Sequence, residues 1–160
     1  MIVLLIGLGG TAALYALSAR GLAWPARRTV AFIGGLVALL AALAPPLGTQ
    51  DTRLLSLHMV QHGLLTLVAA PLLVSGAPLR LALRRLSGHR RRALGRVLAA
   101  RPLHVLTRPA VGLGLFAAVL LGTHLTPVYD LAVRNEAVHV TEHAAYFWTA
   151  ILLWVPLIAA

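Results

Sequence analysis

The chain has 160 residues, of which 59% are hydrophobic and only 11% are charged, a composition too apolar for an ordinary soluble globular domain. Its 14 basic residues are all arginines, against four acids, a balance that in a soluble protein would indicate nucleic acid or an acidic partner. No cysteine is present, which excludes disulfide bonds and thiolate metal ligands. The composition therefore predicts an integral membrane protein.

Five apolar segments follow one another along the chain, and each is long enough for a membrane helix. They cover residues 2–19, 29–48, 54–76, 109–126 and 137–158. A hydrocarbon core of roughly 30 Å requires about 20 apolar residues of helix. The first segment lacks the basic start of a signal peptide and is followed by Arg20, so we interpret it as a retained membrane helix. The predicted fold class is all-α: a single polytopic transmembrane helix bundle over residues 1–160, with about five membrane helices.

A basic segment at residues 77–108 separates the third predicted helix from the fourth. Its leucines are interleaved with seven arginines between positions 80 and 96. This pattern is typical of an amphipathic segment that lies on a membrane surface and attracts anionic lipid. We therefore expect the lipid bilayer, and not nucleic acid, to be the partner of these arginines.

The arginines are distributed unevenly between the loops, which predicts the orientation of the chain. Three lie between the first two helices and nine lie in the connection between the third and fourth, whereas the other two loops hold only Arg53 and Arg134. The four acids lie on or near that second side: Asp51, Asp130, Glu136 and Glu142. Because arginine-rich loops are retained in the cytoplasm, the N-terminus is predicted to be outside.

Five of the seven histidines are predicted to lie near the outer ends of the third, fourth and fifth helices. They are His58, His62, His124, His139 and His143. Two pairs have a spacing of four residues, so each pair projects from one helical face with a separation of about 6 Å along the axis. Histidine inside a membrane is costly unless it has a partner, and one metal ion satisfies several imidazoles at once. The pattern therefore predicts a metal site.

The chemistry of a histidine cluster leaves the identity of the metal open. Neutral imidazole suits zinc, copper, iron and nickel, and Met59 adds a thioether nearby. Glu142 precedes the last histidine of the cluster and would either orient a ligand or contribute to the site directly.

Three other interpretations remain open from the residues alone. Residues 139–143, His-Val-Thr-Glu-His, match the HxxEH zinc-protease motif, in which Glu142 would be the general base. Facing histidines on two helices would instead ligate a haem iron for electron transfer. A structural or proton-relay role would need no metal.

Two sequence elements form a specific combination: His58-Met59-Val60-Gln61-His62, and PLLVSGAPL at residues 71–79. Further positions accompany them: Tyr15, Trp24-Pro25-x-x-Arg28, Phe32, Gly35, Arg108-Pro109, His124, Pro127, Tyr129, His139, Glu142-His143, Trp154 and Pro156. In these residues the sequence resembles the membrane-embedded cytochrome c oxidase assembly factors of the CtaG type, which are found with bacterial caa-type oxidases.

The resemblance implies a non-enzymatic protein of the bacterial plasma membrane that helps to mature cytochrome c oxidase and handles copper for it. The five histidines would be its metal positions, with zinc or haem as alternatives to a copper ion. The implied partner is an oxidase subunit or a periplasmic copper carrier. Members of the family usually continue through further helices that contain an Asp-Gln pair, whereas this sequence ends at Ala160.

Overall fold

The computed structural model describes residues 1–45 and 55–158, without the side chains of Leu55, Tyr129 and Val133. Every regular element in these two ranges is helical and none is a strand, so the all-α prediction is confirmed. The predicted helix bounds at 48 and 54, and the predicted loop charges Asp51 and Arg53, lie outside the described residues.

The N-terminal helix pair consists of α1 (Ile2–Ala19) and α2 (Ala26–Leu43). The hydropathy pattern places the start of α2 at residue 29, but the helix begins three residues earlier, directly after Pro25. Hydropathy does not detect this start because Arg27 and Arg28 lie in the first turn. Charged residues are tolerated there, since the first amide groups of a helix are open to solvent. The helix ends at Leu43, ahead of Pro45-Pro46, because the residue before a proline disfavours helical backbone.

One continuous helical rod follows, made of α3 (Leu55–Gly63), a π-helical segment (Leu64–Ala69) and α4 (Ala70–Ser75). In the π-helical segment the Ala70 amide donates to the Leu65 carbonyl, five residues back. Pro71 comes next and has no amide hydrogen, so the Thr66 carbonyl receives no such bond from it. The indole Nε1–H of Trp154 donates to this carbonyl at 2.8 Å and ties the rod to the last helix.

The basic segment contains three short helices: α5 (Pro78–Arg85), α6 (Gly88–Leu98) and α7 (Arg101–Leu106). Ala77 lies between α4 and α5 and has a left-handed conformation, with φ of +50°. α5 packs on α1 and buries Leu81. No residue of α6 or α7 is buried, as expected of a segment at a membrane surface.

The remaining described helices are α8 (Pro109–His124), α9 (Val128–Arg134) and α10 (Glu136–Ile158). α8 ends two residues before its predicted end, ahead of Pro127. α9 lies in a connection that is too short and too polar to be identified by hydropathy. Asn135 caps α10, because its Oδ1 accepts hydrogen bonds from the amides of Ala137 at 3.0 Å and Val138 at 3.3 Å.

Three helical stretches are long and apolar enough to cross a membrane: Ile2–Ala19, Ala26–Leu43 and Ser56–Arg85. α8 is apolar but has 16 residues, just below the usual range of about 17–25 for a membrane helix. α10 has 23 residues, but the histidines and glutamates of its first turns reduce its hydropathy. Of the predicted membrane helices, length and composition support three.

Two glycines allow the helices to approach one another closely. α2 packs against the π-helical segment and α4, whereas α10 packs against α8 and α4. A Cβ atom on Gly35 would lie 2.7 Å from the Leu73 side chain, and one on Gly112 would lie 2.8 Å from the Leu152 carbonyl oxygen. Backbone contact at these two crossings therefore depends on the missing side chain.

Tyr15 connects α1 to α2 and to the end of the rod, at the end of the bundle that carries most of the arginines. Its hydroxyl donates to the Gly76 carbonyl at 2.6 Å and accepts from Trp24 Nε1 at 2.9 Å. Its ring stacks on Phe32 with a centroid separation of 4.0 Å. The Arg84 guanidinium lies 5.4 Å from the centre of the Trp24 ring, within range of a cation–π contact.

Candidate metal centre

The histidine-bearing ends of three helices meet at the end of the bundle opposite Tyr15. α3 begins there, α8 ends there and α10 begins there, so the chain direction of these helices gathers all five predicted histidines. The i,i+4 spacing places each pair on one helical face. Sequence spacing and helix direction together therefore create the cluster.

The imidazole rings lie close together. Ring centroids are 4.2 Å apart for His58 and His62, and 4.1 Å apart for His139 and His143. Between α3 and α10, His58 lies 5.6 Å from His139, and His62 lies 5.2 Å from His143. His124 of α8 is 5.9 Å from His62. Each ring therefore has another imidazole as a neighbour.

Four members of this end of the bundle are buried. Solvent exposure is 1% for His58, 6% for His62, 7% for His143 and 4% for Glu142. Both ring nitrogens of His62, and Nε2 of His143, have no hydrogen-bond partner among the described residues. Buried polar atoms are normally paired, so these nitrogens are suited to a ligand that binds through lone pairs.

Two overlapping groups of side chains have the geometry of metal ligands. In each group, one ligand atom per residue lies within 4.8 Å of the others. We call His58, His139 and His143 the outer set, because His139 is partly exposed, and His58, His62 and Glu142 the inner set, because all three are buried. Ligand nitrogens around zinc lie about 2.0–2.1 Å from the ion, so two of them are at most about 4.2 Å apart. The 4.8 Å limit that both sets satisfy is close to this separation.

His124 lies beside the cluster but belongs to neither set. Its Nδ1 is 3.0 Å from the Leu120 carbonyl oxygen and 2.9 Å from the Tyr146 hydroxyl. Thr123 Oγ1 and the Tyr146 hydroxyl share a further hydrogen bond of 2.7 Å. A carbonyl oxygen only accepts, so the Nδ1 contact favours the tautomer with the proton on Nδ1 and the lone pair on Nε2. His124 would therefore contribute Nε2 to a metal.

Of the remaining residues considered from the sequence, one belongs to a ligand set and the others do not. Glu142 is part of the inner set, whereas Met59 is 39% exposed and outside both sets. His89 and His104 are exposed in the basic segment, far along the chain from the cluster. The structure therefore brings together five imidazoles and one carboxylate.

Three polar residues that support the cluster are not apparent from sequence spacing. Gln61 is 1% exposed, and its Nε2 donates to the Ala42 carbonyl at 2.8 Å. Thr66 Oγ1 donates to the His62 carbonyl at 2.7 Å, and the Tyr146 ring lies 4.3 Å from the His62 ring. Two signals exist in the sequence: Gln61 is part of the element at residues 58–62, and all three polar side chains fall within apolar helices, where they are expected to have partners.

The chain matches a known family and several longer proteins. A family model described as cytochrome c oxidase caa3 assembly factor matches residues 11–160. Uncharacterized proteins of Mycobacterium bovis and Mycobacterium tuberculosis are each 30% identical over alignments of 160 positions, which cover 92% of this chain and 24% of each relative. One of Mycobacterium leprae is 30% identical over an alignment of 143 positions, which covers 85% of this chain and 22% of the relative. The chain thus spans about a quarter of the length of these curated relatives. No solved structure matches it.

Proposed function

Because this chain belongs to the family of cytochrome c oxidase caa3 assembly factors, we propose that it holds a copper ion for the oxidase in the cluster of His58, His62, His124, His139 and His143. The observation that carries the proposal is that ligand atoms of His58 on α3 and of His139 and His143 on α10 lie within 4.8 Å of one another. The role is non-enzymatic: the protein binds the ion and passes it to a partner.

Copper fits this donor set and the family. The chain has no cysteine, so imidazole and carboxylate are its strong ligands, and copper stands above the other first-row divalent metals in affinity for such sites. Zinc shares the ligand preference but has no redox role in an oxidase. A cytochrome c oxidase subunit or a periplasmic copper carrier would be the acceptor or donor of the ion.

The site also fits the proposed topology. We propose five membrane helices in a bacterial plasma membrane, formed by α1, α2, the rod, α8 and α10, with the N-terminus outside and the arginine-rich loops in the cytoplasm. The histidine end and the arginine end are opposite ends of the same rod, since His58 lies near its start and Gly76 directly follows it. If the histidine end faces the periplasm, His139, which is partly exposed, would be accessible to periplasmic copper carriers.

Haem and protease functions fit the same residues less well. Ligation of a haem iron by two facing histidines requires room for a porphyrin between the imidazoles, whereas each imidazole here has another ring within 4.1–5.9 Å. A protease requires access of a peptide to its general base, but Glu142 is only 4% exposed. A small ion satisfies the same ligands without either requirement.

Copper content of the purified protein tests the proposal. His58→Ala removes the residue shared by both ligand sets, and His104→Ala is the matched control because His104 is exposed outside the cluster. We expect the wild type and the control to retain copper after dialysis and His58→Ala to lose most of it. Equal copper in all three proteins, or a Soret band in the wild type, would contradict the proposal.

Labelling of single cysteines tests the topology, because the natural chain has none. Ser87 and Thr126 are exposed and lie at opposite ends of the bundle. In intact cells an impermeant thiol reagent should label Thr126→Cys, whereas Ser87→Cys should react only after permeabilisation. The reverse pattern would place the histidine cluster in the cytoplasm.

A further inference from the structure

The two ligand sets of the histidine cluster differ in charge. The outer set consists of three imidazoles, whereas the inner set replaces two of them with His62 and the Glu142 carboxylate. Building on the proposed function, we propose that the cluster has two adjacent ion positions: an outer position that prefers univalent copper, and an inner position that prefers a divalent cation such as Zn²⁺ or Cu²⁺.

The outer set is suited to an ion of low charge that arrives from outside. His139 is partly exposed, and its ring lies 4.1 Å from His143 and 5.6 Å from His58. Neutral imidazoles leave the charge of the bound ion unchanged, and the cost of placing an ion in apolar surroundings rises steeply with that charge. Compared with the inner set, this set therefore favours a univalent ion over a divalent one.

The inner set is suited to a divalent ion. All three of its residues are buried, and the carboxylate reduces the net charge of a bound divalent ion from +2 to +1. The attraction between a carboxylate and a cation is also twice as strong for the divalent ion at the same distance. A mixed set of nitrogen and oxygen ligands is also typical of Cu²⁺.

His58 belongs to both sets, so the two positions are neighbours. An ion that moves between them exchanges His139 and His143 for His62 and Glu142 while His58 remains available as a ligand. The ring centroids of His62 and His143, one from each set, are 5.2 Å apart, so the two positions lie close together. The partly exposed outer position would take up or release the ion, and the buried inner position would retain it.

Competition titrations with two ions test this assignment on the full-length protein in detergent. Cu⁺ is titrated anaerobically against a chromophoric chelator, and Zn²⁺, which has no redox chemistry, against a fluorescent chelator. Glu142→Gln should weaken Zn²⁺ binding about 10–100-fold, a usual cost of losing a group that supports a metal site, and change Cu⁺ binding by less than about threefold. His139→Ala should have the opposite selectivity, and His104→Ala should change neither affinity.

The outcomes separate this inference from the proposed function. If Glu142→Gln weakens both ions by the same factor, the cluster is a single site, and the two-position assignment is overturned although copper binding stands. If His58→Ala binds both ions as tightly as the wild type, the proposed metal function itself fails. Circular dichroism of each variant identifies any loss that results from unfolding, and in that event Glu142→Asp, which keeps the charge, should bind Zn²⁺ more tightly than Glu142→Gln.

Discussion

Gly112→Ala should disrupt the contact between α8 and α10, the two helices that carry three of the five clustered histidines. A Cβ atom at position 112 would lie 2.8 Å from the carbonyl oxygen of Leu152 and 3.1 Å from the Cα atom of Leu153. Ordinary van der Waals contact begins at 3.4 Å, and backbone atoms cannot rotate away as a side chain does. The helices must therefore separate or rotate.

The expected magnitude follows from a comparison with Gly114→Ala. Both variants gain the same helix propensity of about 1 kcal/mol, but Gly114 is exposed and a Cβ atom there meets no atom within 4 Å. The difference between the two variants therefore isolates the clash, for which overpacking costs of about 1–3 kcal/mol are typical. Gly112→Ala should be less stable than Gly114→Ala by this amount.

Thermal unfolding in detergent, followed by circular dichroism, measures the difference. A change of 1 kcal/mol shifts the Tm of a domain of this size by about 2–4 °C, so Gly112→Ala should melt several degrees below Gly114→Ala. Copper content provides a second readout, because separation of α8 from α10 moves His124 away from His143. Equal melting temperatures for the two variants would refute the close packing at this crossing.

Three further substitutions test the supporting contacts. Gln61→Leu leaves the Ala42 carbonyl without its 2.8 Å hydrogen bond in a buried site and should lower the free energy of unfolding by about 1–3 kcal/mol, measured by chemical denaturation in detergent; no loss of stability would contradict the bond. Trp154→Phe removes the donor to the Thr66 carbonyl but keeps most of the ring, so the same measurement should show a loss of about 1 kcal/mol, and Trp154→Ala a larger one. Met59→Leu should leave copper content unchanged, because this side chain is 39% exposed and outside both ligand sets; a loss of copper would make its thioether a ligand.

Hydropathy predicts the helical class and the approximate position of the long helices but not their polar ends. α1 contains no charged residue, and its predicted bounds of 2–19 coincide with the helix in the structure. α2 begins earlier than its apolar segment because Arg27 and Arg28 occupy its first turn. α9 has too few residues to produce a hydropathy signal, and its position depends on packing against α8 and α10. Hydropathy averaged over many residues therefore misses short helices and the polar ends of long ones.

The histidine cluster is largely predictable because its geometry is local. Spacing of four residues fixes the relation within each pair, and the alternating direction of membrane helices places the pairs at one end. Gln61 and Tyr146 could not be assigned in this way, because each acts through a contact with another helix: Gln61 with the Ala42 carbonyl, and Tyr146 with His124. Spacing along the sequence does not indicate which residue of another helix each of them contacts.

The π-helical segment connects α3 to α4 within the rod and determines how the side chains of these two helices face one another. Since each residue of an α-helix turns the chain by about 100°, the extra residue of a π-helical turn changes the relative direction of all side chains on either side by about that angle. With Leu64–Ala69 in this conformation, His58 and His62 face α10, while Gly76 receives the Tyr15 hydroxyl at the other end. Removal of one residue from this segment would therefore turn the histidines away from α10 or Gly76 away from Tyr15. The same segment thus sets the orientation of the histidines and of Gly76.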